Sequence, residues 1–239
     1  MRKIAEEELV YDRLGTLFDK ALSAYDTQRR VETLVDDFLG QEDLSDRLAL
    51  DVGCGLGFFS RRLAERGAIV TACDLGASLV ERTVRTVGCR GFQADCLELT
   101  RHFPENHFDL VVSSECIEHT PDPSEAVRQM VLVLKPGGLL ALSTPNLLWL
   151  PVVKLATWLR LRPFDGLENF STWRSLRATL RRQGVNIVRE KGLHIIPFQL
   201  RLHQLSRWCD THCQSLQGVM INLCILGRRR RTHGQATRE

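Results

Sequence analysis

The stretch "DVGCGLG" places Asp51 two residues ahead of Gly53, with Gly55 and Gly57 following at alternate positions, directly after the apolar run "LAL". Glycines let a backbone pass close to a ligand and take conformations that a side chain forbids, here just before a helix amino terminus. The spacing separates two ligand classes. A dinucleotide turn reads G-x-G-x-x-G, whereas here the third glycine arrives one residue early and an acid precedes the first. A pyrophosphate is disfavoured beside that carboxylate, while a cationic amino group is favoured. Two further acids close short apolar runs: Asp74 ends "AIVTACD" and Asp95 ends "RGFQAD". Asp74 can accept hydrogen bonds from two ribose hydroxyls, and Asp95 can accept one from an adenine amino group. Either acid alone also serves as a turn or helix-cap residue. A fourth run, "FDLVVSS", leads into "ECIEHTPDP", which groups Glu115, Glu118 and His119. His119, with a reference pKa of about 6.5, suits removal of a hydroxyl proton near neutral pH; the bland alternative is that Glu118 and His119 cap the following turn.

These residues share one rim only if the runs before them are parallel strands. "LALDV", "AIVTACD", "RGFQAD", "FDLVVSS" and "LLALST" read as five strands. Between most of them lie amphipathic stretches: "GFFSRRLAERG", stopped by Gly67, "SLVERTVRTVG", and "PSEAVRQMVLVLKPGG", closed by a Pro-Gly-Gly stop. Upstream, "TQRRVETLVDDFLG" spaces Val31, Leu34, Val35, Phe38 and Leu39 along one helix face. Downstream, "WRSLRATLRRQG" adds a helix with Trp173, Leu176 and Leu180 on one stripe, and "VNIVREK" and "VMINLCILG" add two strands. The expected fold is α/β and Rossmann-like, a seven-stranded sheet with helices on both faces. In such sheets ligands sit at the carboxyl ends of the strands, near the point where strand order reverses.

With 239 residues, 44% hydrophobic and 26% charged, the chain reads as one large globular domain and neither a disordered nor a fibrous one. The net charge of +3 comes from the last twelve residues, "RRRRTHGQATRE", whose five arginines and one glutamate leave about −1 for the body. No broad basic face for nucleic acid is indicated. The eight cysteines, several in buried-looking strands with no secretory signal ahead of them, fit a reduced cytoplasmic chain. "CDTHC" (Cys209, His212, Cys213) lacks the second ligand pair of a zinc site. The most apolar stretch, residues 139–159, is interrupted by Pro145, Asn146, Pro151 and Lys154, so no transmembrane helix is expected there.

"LALDVGCGLG", "TACDLG", "FQADCLEL", "FDLVVSSECIEHTPDP" and "LKPGGLLALSTPN" resemble the motifs of class I S-adenosylmethionine-dependent methyltransferases over roughly residues 48–146. Within that class, "SECIEHTPDP" followed by "LKPGGLLALSTPN" is similar to the O-methyltransferases of ubiquinone biosynthesis. The resemblance implies six parallel strands plus an antiparallel seventh, with a small helical cap. It implies that Asp51, Gly53, Gly55 and Gly57 surround the methionine portion of the cofactor, that Asp74 with Leu75 holds the ribose, and that Asp95 with Cys96 borders the adenine. Ser114 and an arginine of the preceding helix, Arg30 or Arg29, would also line the site. Glu115, Glu118 and His119 would hold a divalent cation such as Mg2+, with Glu118 and His119 as the catalytic pair; without a metal, His119 would act as base. Cys116 is expected to be a passive core thiol.

The organisation implied is N-terminal helices over the active site (1–45), a cofactor core (46–146), a substrate cap with C-terminal strands of the same domain (147–227), and a basic flexible tail (228–239). Trp149, Trp158, Phe164, Phe170, His194 and Phe198 would furnish an apolar lid. Lys154, Arg160 and Arg162 beside them allow weak contact with a membrane surface. The expected activity is O-methylation of a small-molecule phenol, catechol or sugar diol. N- or C-methylation of a metabolite and a non-catalytic cofactor-binding scaffold are the alternatives. Oligomeric state is open, a homodimer included.

Overall fold

Seven runs of alternating or continuous apolar residues become one sheet. The computed structural model describes residues 24–159 and 167–231. Its strands are β1 (Leu48–Val52), β2 (Ile69–Asp74), β3 (Arg90–Gln93), β4 (Phe108–Ser114), β5 (Leu134–Pro145), β6 (Val185–Leu193) and β7 (Asn222–Arg229), in the order β3-β2-β1-β4-β5-β7-β6. The first five pair in parallel, and β7 runs antiparallel to both its neighbours, β5 and β6. Six strands therefore point one way and β7 the other, as expected. Strand order reverses between β1 and β4, which puts the carboxyl ends of these two strands at the crevice of the fold.

The helices are α1 (Ala24–Val31), α2 (Phe58–Glu65), α3 (Ala77–Val87), α4 (Pro123–Val133), α5 (Leu150–Trp158), α6 (Trp173–Arg182) and α7 (His203–His212). Strand side chains alternate between the two faces, and the two main cores follow that period of two. Leu50, Val111, Leu140, Leu142 and Ile225 pack with Met130 of α4 and with Trp173, Leu176 and Leu180 of α6. Ala49, Leu110, Val112, Ala141 and Leu226 pack on the other face with Leu34, Val35, Phe38 and Leu39 and with Phe59 and Leu63 of α2. Each Val, Leu, Ile, Phe or Met side chain among them contributes ~1.5–3 kcal/mol when fully buried. Burial on this scale outweighs helix propensity, so it fixes where the strand ends, and hence the rim, must lie.

Two elements differ from the sequence reading. The expected N-terminal helix is α-helical only to Val31; Glu32–Asp37 continues as a π-helix, marked by Phe38 N donating to Thr33 O at 3.0 Å. The expected face stays buried, and the guanidinium of Arg66 donates to the carbonyls of Val35, Leu39 and Glu42, closing the end of this wider turn. The "LKPGG" segment does not end α4 as a loop. It is already the start of β5, which pairs with β4 at Phe108–Leu134 and again from Leu110–Leu139 after a bulge. Pro136, having no N–H to offer a ladder, sits inside that irregularity.

Among the described residues no helix is long and apolar enough to cross a membrane. The segment before residue 24, Arg160, Arg162 and Phe164 of the expected lid, and the tail beyond residue 231 lie outside the described residues. Of the other lid residues, Trp158 stands outward, 77% exposed, whereas His194 is fully buried.

Asn146, at the end of β5, fastens this strand to the segment entering β7. Its amide donates to the carbonyls of Gly218 and Met220, both at 2.9 Å, and its oxygen accepts from Leu148 N at 3.2 Å. Asn146→Ala leaves two carbonyls in this buried setting without their donor and should cost about 2–4 kcal/mol in urea unfolding. A loss below about 0.5 kcal/mol would show that the fastening is dispensable.

Candidate active site at the carboxyl edge of the sheet

The chain leaves β1 through a turn whose backbone is fixed by protein partners alone. Gly53 N and Cys54 N both donate to Cys73 O at the end of β2, at 2.9 and 3.0 Å, and Gly57 N donates to Cys54 O at 2.8 Å. Gly53, Gly55 and Gly57 all have positive φ, at 73°, 49° and 77°. A Cβ on Gly53 would lie 2.7 Å from the Cys116 sulfur, and one on Gly57 would lie 2.9 Å from the Thr83 side chain. Those two glycines are therefore required both by conformation and by contact. Gly55 is different. A Cβ there meets nothing within 4 Å, so the middle of the turn faces open space.

Asp74 joins this turn to the next one. Its carboxylate accepts from Gly55 N at 2.9 Å and from Gly76 N at 3.0 Å, while Thr83 Oγ1 donates to Gly55 O at 3.1 Å. Leu75 is half-buried beside it, and its carbonyl accepts from Gln93 Nε2 at 3.0 Å. Asp95 follows β3 and accepts from Leu97 N at 2.8 Å, so it shapes its own turn. Cys96 lies next to it, partly buried against the core. The thiol of Cys116 is pushed well up by its contact with the Cys96 thiol and by burial, which fits the expected passive role.

Asp51 is 1% exposed and accepts from Ser60 Oγ at 2.6 Å. Burial pushes its carboxyl up to about 6, with the nearby charge of Asp74 adding and the Ser60 hydrogen bonds opposing. Arg30 is the arginine that reaches the rim: its NH1 donates to Ser114 Oγ at 2.7 Å, and Ser114 Oγ lies 2.8 Å from Ser143 Oγ. Arg29 turns away to Asp210 and Glu32.

The acid–imidazole group after β4 is held by three separate partners. Glu115, at φ 52°, accepts from Ser143 Oγ at 3.1 Å. Glu118 is 1% exposed and accepts from Thr144 Oγ1 at 3.2 Å, and burial followed by the charge of Glu115 pushes its carboxyl well above the usual range. His119 Nδ1 lies 3.0 Å from the carbonyl of Leu167 and its Nε2 lies 3.8 Å from Glu118. A carbonyl only accepts, so Nδ1 carries a proton, and in the neutral ring the lone pair is on Nε2. Among the described residues no group of three or more His, Cys, Asp or Glu is arranged to hold a metal ion. The expected Mg2+ site at Glu115, Glu118 and His119 is therefore not supported: Glu115 is engaged by Ser143, Glu118 by Thr144 and His119 by the Leu167 carbonyl. Nor do Glu118 and His119 cap the next helix; Asp122 does so, accepting from Ser124 N and Glu125 N at 3.0 Å.

Three buried groups escaped the sequence reading. Asp26 accepts from Arg30 Nε at 3.2 Å and NH2 at 3.0 Å, Asp210 accepts from His194 N at 2.8 Å, and Asn222 is buried at the start of β7. The i, i+4 spacing of Asp26 and Arg30 was a signal for the first. Asp210 lay hidden inside "CDTHC", where the cysteines drew the eye.

Sheet order and turn together define a doubly wound α/β protein with its candidate site where strand order reverses. A family model of a methyltransferase domain matches residues 50–142. A ubiquinone biosynthesis O-methyltransferase of Pseudomonas fluorescens (strain Pf0-1) is 37% identical over 109 residues, 44% of this chain and 47% of that protein, so the chain spans about half of that relative's length. A protein of the same name from Xanthomonas euvesicatoria pv. vesicatoria is 34% identical over 177 residues, 69% of this chain and 73% of that one. Among solved structures, an S-adenosylmethionine dependent methyltransferase from Mesorhizobium loti superposes with a TM-score of 0.64 at 21% identity, covering 83% of this chain and 95% of its own. The chain belongs to the class I S-adenosylmethionine-dependent methyltransferases, whose cofactor is S-adenosylmethionine.

The raised Asp51 carboxyl has a measurable consequence. Its folded pKa of about 6 lies above the unfolded value, so its contribution to stability is present below about pH 4 and is lost as pH rises through 6. Asp51→Asn should therefore make the ligand-free protein more stable by on the order of 2–3 kcal/mol at pH 8, with the gain vanishing near pH 4. A gain independent of pH in urea titrations would contradict the burial account.

Proposed function

We propose that this chain is an O-methyltransferase that moves a methyl group from S-adenosylmethionine to a hydroxyl of a small molecule, a phenol, catechol or vicinal diol. The observation that carries the reading is the Asp74 clasp: one carboxylate holds Gly55 N and Gly76 N, beside the open middle of the glycine turn. A carboxylate offers about four acceptor sites, so ribose hydroxyls can share Asp74 with those two N–H groups. Asp51 then faces the cofactor's amino group, Arg30 and Ser114 its carboxylate, and Asp95 with Cys96 its adenine. The relatives' name supports oxygen as the acceptor atom.

The sulfonium is a strong electrophile, so the protein's work is positioning, exclusion of water and removal of one proton. His119 is the group for the last task. Its Nδ1 proton is committed to Leu167 O, which orients Nε2 as the base for the acceptor hydroxyl. Glu118, whose carboxyl is pushed well up by burial and by the charge of Glu115, positions this turn through Thr144. Residues 46–146 act as the cofactor core, and residues 147–227 supply the cap that selects the acceptor.

Labelled S-adenosylmethionine offered with a panel of catechols, phenols, vicinal diols and amines should transfer label to oxygen, with turnover insensitive to chelator. Label found on nitrogen or carbon alone would overturn the reading. His119→Ala should lower turnover by roughly 100-fold while the circular dichroism spectrum stays unchanged.

A further inference from the structure

Behind Arg30 lies a buried histidine that the proposed reaction does not use. His194 follows β6, has φ 61° and is fully buried. Its Nε2 lies 3.0 Å from Asp26 Oδ1 without the geometry of a hydrogen bond, and its Nδ1 lies 3.4 Å from Ser206 Oγ and 3.9 Å from Asp210 Oδ2. Tyr25 and Phe198 flank the ring at centroid distances of 5.6 and 5.5 Å. A polar ring in such a setting costs free energy unless its nitrogens are matched: Nδ1 has the Ser206 hydroxyl, and Nε2 faces the Asp26 carboxylate across 3.0 Å.

Asp26 divides its carboxylate between two tasks. Oδ2 grips Arg30 through Nε and NH2, leaving NH1 to reach Ser114 at 2.7 Å, while Oδ1 faces His194. Burial alone would push the Asp26 carboxyl up; the charge of Arg30, then the nearby His194 ring, hold it below the usual carboxylate range. The β1–β4 register pairs Val52 with Ser113, so Ser114 stands opposite Gly53 at the entry to the glycine turn. His194, Asp26, Arg30 and Ser114 thus form one line of contacts from the end of β6 to the rim.

We propose that His194 is a positioning residue for the amino-acid end of the cofactor. It fixes Asp26, Asp26 fixes the guanidinium plane of Arg30 by taking its Nε and NH2, and Arg30 presents its remaining NH1 donor to the cofactor's carboxylate. The inference rests on the reading of Arg30 as a cofactor ligand given above. It implies that β6 and α7, remote from the glycine turn in sequence, tune affinity for one end of the cofactor and not the other.

Two ligands and two variants separate positioning from general damage. S-adenosylhomocysteine carries the amino-acid end; 5′-methylthioadenosine has the same nucleoside and sulfur without it. In His194→Asn the shorter amide loses its reach to Asp26, whereas His194→Gln restores a donor near the position of Nε2. Backbone strain at positive φ favours Asn over Gln, so a purely conformational effect ranks the variants the opposite way. By calorimetric titration of the full chain, His194→Asn should weaken S-adenosylhomocysteine about 10-fold and leave 5′-methylthioadenosine within about 2-fold, a change expected for one perturbed charge-assisted contact. His194→Gln should recover most of the loss, and Arg30→Gln should show the same ligand split as His194→Asn. If Arg30→Gln shows the split and His194→Asn does not, or loses both ligands in parallel, the role of His194 is overturned while the cofactor site stands. If the unaltered protein binds no S-adenosylhomocysteine, or Arg30→Gln binds it normally, the cofactor reading fails and takes this inference with it.

Discussion

Two backbone N–H groups from separate turns converge on the carboxylate of Asp74. Hydrogen bonds to a carboxylate are charge-assisted and stronger than neutral ones. The Gly55 N–H on Asp74 therefore adds a strong link between the chain leaving β1 and the chain leaving β2 to those that Gly53 N and Cys54 N make with Cys73 O. Everything proposed for the rim depends on it. The glycine turn is held by groups of the chain itself, Cys73 O, Thr83 and Asp74. Backbone fixed by such contacts costs less to order on binding than a mobile loop would.

The price of such a rim is buried charge. Asp51, Glu115 and Glu118 all carry carboxyls pushed up by burial, and Arg30, Asp26, Arg29 and Asp210 sit nearby with little exposure. Breaking one member of such a network leaves the others desolvated and mismatched, which costs more than the net worth of any single pair. The network also ties α1 to β4, β6 and α7, elements that share no local sequence. The helix over the rim is thus held by polar contacts of Asp26 with His194, Arg29 with Asp210 and Arg30 with Ser114, while the π-helical segment after it is held by Leu34, Val35, Phe38 and Leu39.

Much of the fold was legible because it rests on period and punctuation. Strand alternation, the stop at Gly67 and the row of acids after successive strands all survive into three dimensions. The motif resemblance carried the strand directions, including the reversed β7. Three features were not legible. The start of β5 inside "LKPGG" was masked by residues that usually break structure, yet a bulge accommodates them. The separation of Glu115, Glu118 and His119 depends on Ser143, Thr144 and Leu167, and no spacing within "ECIEHTPDP" reports which partner each side chain will choose. His194 read as lid material because its neighbours are apolar; its partners Asp26 and Asp210 lie 168 residues before and 16 residues after it, beyond any local pattern.

The central claim is that the rim between β1, β2 and β4 grips the nucleoside and amino-acid ends of one cofactor. A crystal structure of the chain with S-adenosylhomocysteine tests it most directly. The account requires the ribose hydroxyls on Asp74, the adenine beside Asp95, and the amino-acid end between Gly53 and Arg30. Density for the ligand at any other place, or a ribose that makes no contact with Asp74, would contradict it.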